Sequence, residues 1–116
     1  MRMHRKNNLD ARLDGCAEIL TVCDLSDKNM KRAAEVKDYF DFKKIFGNTN
    51  PVCLEIGCGK GKFVCETAAM NSELNFVACE KISNVIVDAC ERALHDGLKN
   101  VRFLNCAAEV LEKYFP

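Results

Sequence analysis

Pro51-Val-Cys-Leu-Glu55-Ile-Gly57-Cys-Gly59-Lys60-Gly61-Lys62-Phe63 constrains this chain more than any other stretch. Val52 to Ile56 is short, apolar and rich in β-formers, which suits a buried strand, since a helix needs a longer run. Gly57 and Gly59 then open backbone angles closed to residues with a Cβ and leave room for a ligand on the main chain. Lys60 to Met70 reads as a helix with Phe63, Val64, Thr67 and Ala68 on one side. The unit is strand, glycine turn and helix, with a ligand expected at the carboxyl end of the strand.

A second run, Asn75-Phe-Val-Ala-Cys-Glu80, is again apolar and ends in an acid. An acid at the tip of the second strand, about 20 residues beyond the glycine loop, is placed to accept hydrogen bonds from ribose hydroxyls. The two signals together point to a nucleoside-bearing cofactor. Dinucleotide sites use G-x-G-x-x-G, whose third glycine falls here on Lys62. The match is instead acid-x-Gly-x-Gly-x-Gly, with Glu55 two residues before Gly57. That carboxylate sits badly against a pyrophosphate and well beside the cationic methionine end of S-adenosylmethionine (SAM), by Coulomb attraction. SAM is therefore preferred over NAD, and a dinucleotide-dependent oxidoreductase or a non-catalytic interaction module are the alternatives.

Several segments taken in order narrow the reading: Met1-Arg-Met-His-Arg-Lys6, Phe46-Gly-Asn-Thr-Asn-Pro51, the glycine loop, Glu80-Lys-Ile-Ser-Asn-Val-Ile-Val87 and Asn100-Val-Arg-Phe-Leu-Asn105. They resemble the bacterial tRNA (guanine-N7-)-methyltransferases over nearly the whole chain. The resemblance implies a Rossmann-like fold and methyl transfer from SAM to N7 of a guanine in the variable loop of tRNA. It also implies that Glu55 and Glu80, with Gly57, Gly59 and Gly61, contact the cofactor. A further contact in many members is an Asp shortly after the third strand. This chain has Ala107 there, in Leu104-Asn-Cys-Ala107-Ala108-Glu109, so Asn105 or the backbone is left to substitute. The Asp-Pro motif that the family carries after its fourth strand has no counterpart before Pro116. The chain therefore reads as the cofactor-binding half, with no catalytic residue of its own, and its 116 residues are expected to be inactive alone.

The expected fold class is α/β, a doubly wound and mostly parallel sheet, here as three strands at about 52–56, 75–79 and 101–106. Residues 1–48 read as a basic arm and helical extension, and 49–116 as half of the SAM-binding domain. Half a sheet of this kind exposes the edge of its first strand, which invites association. A helix from Ser83, as N-cap, to Asp96 presents Ile86, Ala89, Cys90, Ala93 and Leu94 at helical spacing and stops at Gly97. Another helix starts near Ala108, with Val110, Leu111 and Phe115 inward. In the extension, Leu9, Leu13, Cys16, Ala17 and Leu20 form one helical stripe and Val36, Tyr39, Phe40 and Phe46 another, separated by the polar stretch Asp24 to Arg32.

Charge is balanced at 17 basic against 17 acidic side chains, so overall electrostatics do not announce a nucleic-acid partner. The N-terminus differs, because Arg2, Arg5, Lys6 and Arg12 outnumber Asp10, and such an arm can contact phosphates. Eight cysteines form no C-x-x-C pair, and Cys53, Cys79 and Cys106 fall in strand runs where cysteine acts as a small apolar residue. His4 and His95 lie apart from ligand-spaced groups, so no metal is expected. No apolar run approaches the ~18 residues of a membrane span. Lacking a signal peptide, the chain reads as cytoplasmic, and its oligomeric state is open.

Overall fold

The computed structural model describes residue 6 and residues 8–22, 40–113 and 115. Along the chain these form α1 (Leu9–Asp14), β1 (Leu20–Val22), α2 (Phe42–Phe46), β2 (Val52–Ile56), α3 (Lys62–Met70), β3 (Asn75–Cys79), α4 (Ser83–His95), β4 (Val101–Asn105) and a closing 3-10 segment (Ala108–Lys113). Arg2, Arg5, His4, the polar stretch Asp24 to Arg32, Val36 and Tyr39 lie outside the described residues.

The described strands form one parallel sheet in the order β1-β4-β3-β2. The three expected strands are therefore joined by a fourth, and it comes from the extension. Leu20, read from sequence as the end of a helical stripe, pairs with Phe103 at the far side of β4. Gly15 ends α1 at Asp14, and the chain turns through 15–19 before extending. A short amphipathic stripe cannot distinguish a long helix from a helix, a turn and a strand when both bury the same residues.

Alternation in β3 and β4 divides the core. Phe76, Ala78, Val101 and Phe103 face α3 and α4, meeting Val64, Cys65, Ala68, Ile86, Ala89, Cys90 and Ala93. Val77, Cys79 and Leu104 face the other way, against Leu111, Phe40, Phe42, Phe46 and Phe115. Aromatic contacts close that second layer, with the Phe42 and Phe115 centroids 5.5 Å apart. β3 is buried throughout, as a strand covered on both faces must be. β2 is not: Leu54 and Ile56 are exposed, and β2 pairs only with β3 among the described residues. Phe63, expected on the inner side of α3, is 69% exposed on the surface beside them.

α1 is tied to α4 by charge as well as packing. Lys6 Nζ donates to Asp88 at 2.7 Å, and Arg12 donates to Asp88 at 3.2 Å and to both oxygens of Glu91. The Lys6 amide adds a bond to the Asn84 side chain. Burial alone raises the Asp88 carboxyl, but hydrogen bonds and charge from Lys6 and Arg12 outweigh it and hold Asp88 low. Glu91 is held low chiefly by its hydrogen bond from Arg12. Two cations of the supposed phosphate-binding arm are thus spent inside the fold.

Candidate functional site at the strand ends

The loop after β2 is held by the end of β3. The amides of Gly57 and Cys58 both donate to the Cys79 carbonyl, at 2.7 and 3.0 Å. Gly57 manages this turn at φ +77°, in the left-handed region that favours glycine. Gly61, two residues past Gly59, has a different task. A Cβ there would lie 2.6 Å from Ala89 Cβ and 2.8 Å from Ala89 Cα, so its missing side chain lets α3 start hard against α4.

The turn after β3 is equally constrained. Glu80 sits just beyond the strand, its amide donating to the Leu104 carbonyl at 3.0 Å. Its carboxylate Oε2 accepts the Ile82 amide at 3.0 Å, which fixes the side chain over the start of α4. Asn105 clamps the same turn from β4: its Nδ2 donates to the carbonyls of Glu80 and Lys81 at 3.0 and 3.3 Å, and its Oδ1 accepts from Ser83 Oγ at 2.9 Å. Ser83 is therefore the first helical residue, with Ile82 as the N-cap, because its hydroxyl is engaged by Asn105 rather than by the helix. Buried and bonded through both ends of its amide, Asn105 holds the turn that carries Glu80.

Between these turns lies a cavity of about 390 Å³, lined by Ile56, Gly57, Cys79, Glu80, Lys81, Ile82, Cys106, Ala108 and Glu109. Pockets for small organic ligands start at roughly 300 Å³. Of the sequence-predicted site residues, Gly57 and Glu80 line it. Glu55 lines a neighbouring cleft of about 330 Å³, beside Phe63 and Thr67. Gly59 and Gly61 line neither. The two acids nevertheless flank one loop: burial pushes the Cys58 thiol up to about 12, and the charges of Glu55 and Glu80 push in the same direction. Burial also raises the Glu55 carboxyl.

Sequence reasoning missed Glu109, Cys79 and Cys106 as cavity residues. An acid two positions past Ala107 was the available signal for Glu109. The cysteines carried none, since neighbours across strands β3 and β4 are distant in sequence. Among the described residues there is no cluster of three or more His, Cys, Asp or Glu able to hold a metal, and no helix is long and apolar enough to cross a membrane.

A family model described as "Putative methyltransferase" matches residues 49–116, more than half of the chain. The chain is 39% identical over 75 residues to a tRNA (guanine-N(7)-)-methyltransferase of Bacillus cytotoxicus, covering 65% of this chain and 35% of that protein. It is 39% identical over 87 residues to the protein of the same name from Listeria monocytogenes, and 38% over 87 residues to that of Listeria welshimeri, covering 72% of this chain and 41% of each relative. The chain thus spans about two fifths of the length of these curated relatives.

Proposed function

We propose that this chain, which belongs to the methyltransferase family, binds SAM across the ends of β2 and β3 and forms the donor side of a tRNA (guanine-N7-)-methyltransferase. The observation that carries the reading is Glu80, fixed by the Ile82 amide at the wall of a cavity of ligand size. The residues present fit the cofactor. A held carboxylate accepts ribose hydroxyls in defined geometry, and the turn at Gly57 presents backbone free of a side chain. Glu55, on the far side of the same loop, offers negative charge toward the cationic methionine end. Glu109 supplies an acid on the cavity wall near the position where Ala107 carries none.

SAM supplies an electrophilic methyl group on a sulfonium. Guanine N7 has an available lone pair, so the protein needs no strong base and contributes alignment. The part of that task open to these residues is to bind and orient the donor. The acceptor class, a tRNA guanine, rests on the resemblance and on the activity named for the relatives, and a tRNA substrate places the work in the cytoplasm. A single test addresses the site: Glu80→Ala should weaken SAM binding about fivefold or more, since leaving a hydroxyl unpaired costs roughly 1–3 kcal/mol. Calorimetry showing equal SAM affinity, or thermal-shift stabilisation by NAD and not by SAM, overturns the assignment.

A further inference from the structure

Cys79 and Cys106 meet in the wall of the strand-end cavity. Their sulfurs are 3.8 Å apart, in hydrogen-bonding contact without a disulfide, and the Cys79 thiol donates to the Cys106 carbonyl at 3.1 Å. Both line the cavity and are nearly buried, at 1% and 5% exposed, so the cavity is the route by which a small reagent would meet them. A disulfide needs the sulfurs at about 2.05 Å. Cys79 closes β3, while Cys106 lies one residue past β4, where the backbone has left the strand.

We propose that Cys79 and Cys106 are an oxidisable dithiol in the cavity wall, closed to a cystine by a peroxide or a small disulfide, and that closure weakens the hold on cofactor. The second half of this rests on the SAM reading above. With hydrogen peroxide, one thiolate attacks an oxygen, giving a sulfenic acid and hydroxide. The other thiol then attacks that sulfur, forming the S–S bond and releasing water, so two thiols and one peroxide give one cystine and two waters. With oxidised glutathione, one thiolate forms a mixed disulfide and releases glutathione, and the second thiol displaces the remaining glutathione.

The coupling to binding follows from chain position. Cys79 immediately precedes Glu80, and Cys106 immediately follows Asn105, whose amide holds the Glu80 carbonyl. Drawing the sulfurs together moves both neighbours of the proposed ribose acceptor. A reducing agent restores them.

The test treats the purified protein with hydrogen peroxide or oxidised glutathione, blocks remaining thiols under denaturing conditions and maps peptides by mass. The expected product links the Cys79 and Cys106 peptides and is reversed by dithiothreitol. SAM affinity should fall at least about tenfold in the oxidised protein and recover on reduction. Cys106→Ser and, separately, Cys79→Ser should keep their SAM affinity through the same treatment. Absence of the linked peptide, or a cystine formed by another pair in its place, overturns the dithiol. A Cys79–Cys106 link with unchanged SAM affinity overturns the coupling. Should the reduced protein fail to bind SAM, the cofactor reading fails instead, and the linked peptide alone decides the dithiol.

Discussion

Gly61→Ala is the substitution for which the structure makes the sharpest quantitative claim. The new Cβ would stand 2.6 Å from Ala89 Cβ and 2.8 Å from Ala89 Cα, and the second of these is backbone in a buried helix, unable to rotate aside. The residue would also keep φ at +83°, a conformation costing an L-residue roughly 1–2 kcal/mol. Forcing extra volume into a packed contact adds typically ~1–3 kcal/mol. The expected loss is therefore about 2–5 kcal/mol, a sizeable share of a domain's ordinary ~5–15. Gly57→Ala is the control. Its φ is +77°, yet a Cβ there meets nothing within 4 Å, so only the conformational cost of ~1–2 kcal/mol applies. Urea unfolding monitored by circular dichroism reads the difference as a lower midpoint at unchanged slope. Ala89→Gly removes the nearer of the two contacts at a helix cost of about 1 kcal/mol, so the double variant should be less destabilised than the sum of the singles, by roughly 0.5–3 kcal/mol of coupling. Equal losses for Gly61→Ala and Gly57→Ala, with an additive double variant, would refute the packing role. A stable Gly61→Ala protein that no longer binds SAM would make Gly61 a ligand contact after all.

The remaining expectations concern the turn, the arm and the open edge. Asn105→Ala strips the Glu80–Lys81 turn of its clamp and should cost about 1–3 kcal/mol of stability through groups left unpaired, while lowering SAM affinity in calorimetry without any direct contact. The Asp88 and Glu91 carboxyls are held below their ordinary 3.8 and 4.5, so their contribution is complete above those values and is lost as pH falls below them. Stability measured from pH 6 to about 3 should drop in this window, and Arg12→Ala should flatten the drop; an unchanged slope would count against the network. Lys6→Ala should leave the salt dependence of tRNA binding as it is, because Lys6 is paired with Asp88, and a shallower slope would restore it as a phosphate contact. Ile56→Lys, at the exposed edge of β2, should reduce self-association in sedimentation velocity; equal association would mean another surface mediates it.

The sequence made the central β-α-β-α-β run legible because each signal there is local. An apolar run of strand length, a glycine turn and a helical stripe ended by Gly97 each reflect conformational limits within a few residues, and β2, α3, β3, α4 and β4 stand within two residues of their expected places. Glu80 was legible for the same reason. What escaped were features settled across the sheet. Leu20 to Val22 became a strand because β4 offered a free edge, which no local pattern announces. Phe63 turned outward because Val64, Cys65 and Ala68 already fill the contact with the sheet and α4. Glu55 lines the cleft beside Phe63 and Thr67 and not the Glu80 cavity, while Ile56 borders both, a division that no local pattern in the sequence announces. Asn105 read as a spare polar group and is in fact committed three times over.

The fate of the basic arm bears on where an acceptor nucleic acid could approach. Lys6 and Arg12 are neutralised by Asp88 and Glu91 on α4, so among the described residues this end of the molecule offers little net attraction to phosphate. Such pairing has a structural effect instead. It fastens α1 to α4, and α1 leads through one turn into β1, which covers the outer edge of β4 and so steadies the strand that carries Asn105. The exposed cations nearest the proposed donor site are of another kind: Lys60 lies in the glycine loop and Lys81 lines the cavity beside Glu80. A phosphate drawn to those two would be held within reach of the strand ends, whereas one drawn to Lys6 would lie along α4. Orientation of acceptor against donor is the main contribution required for attack by a nitrogen lone pair. On the proposed reading, the described charges placed to orient an acceptor are therefore those at the loop, and Lys6 and Arg12 bear on the site through the contacts that fasten α1 to α4.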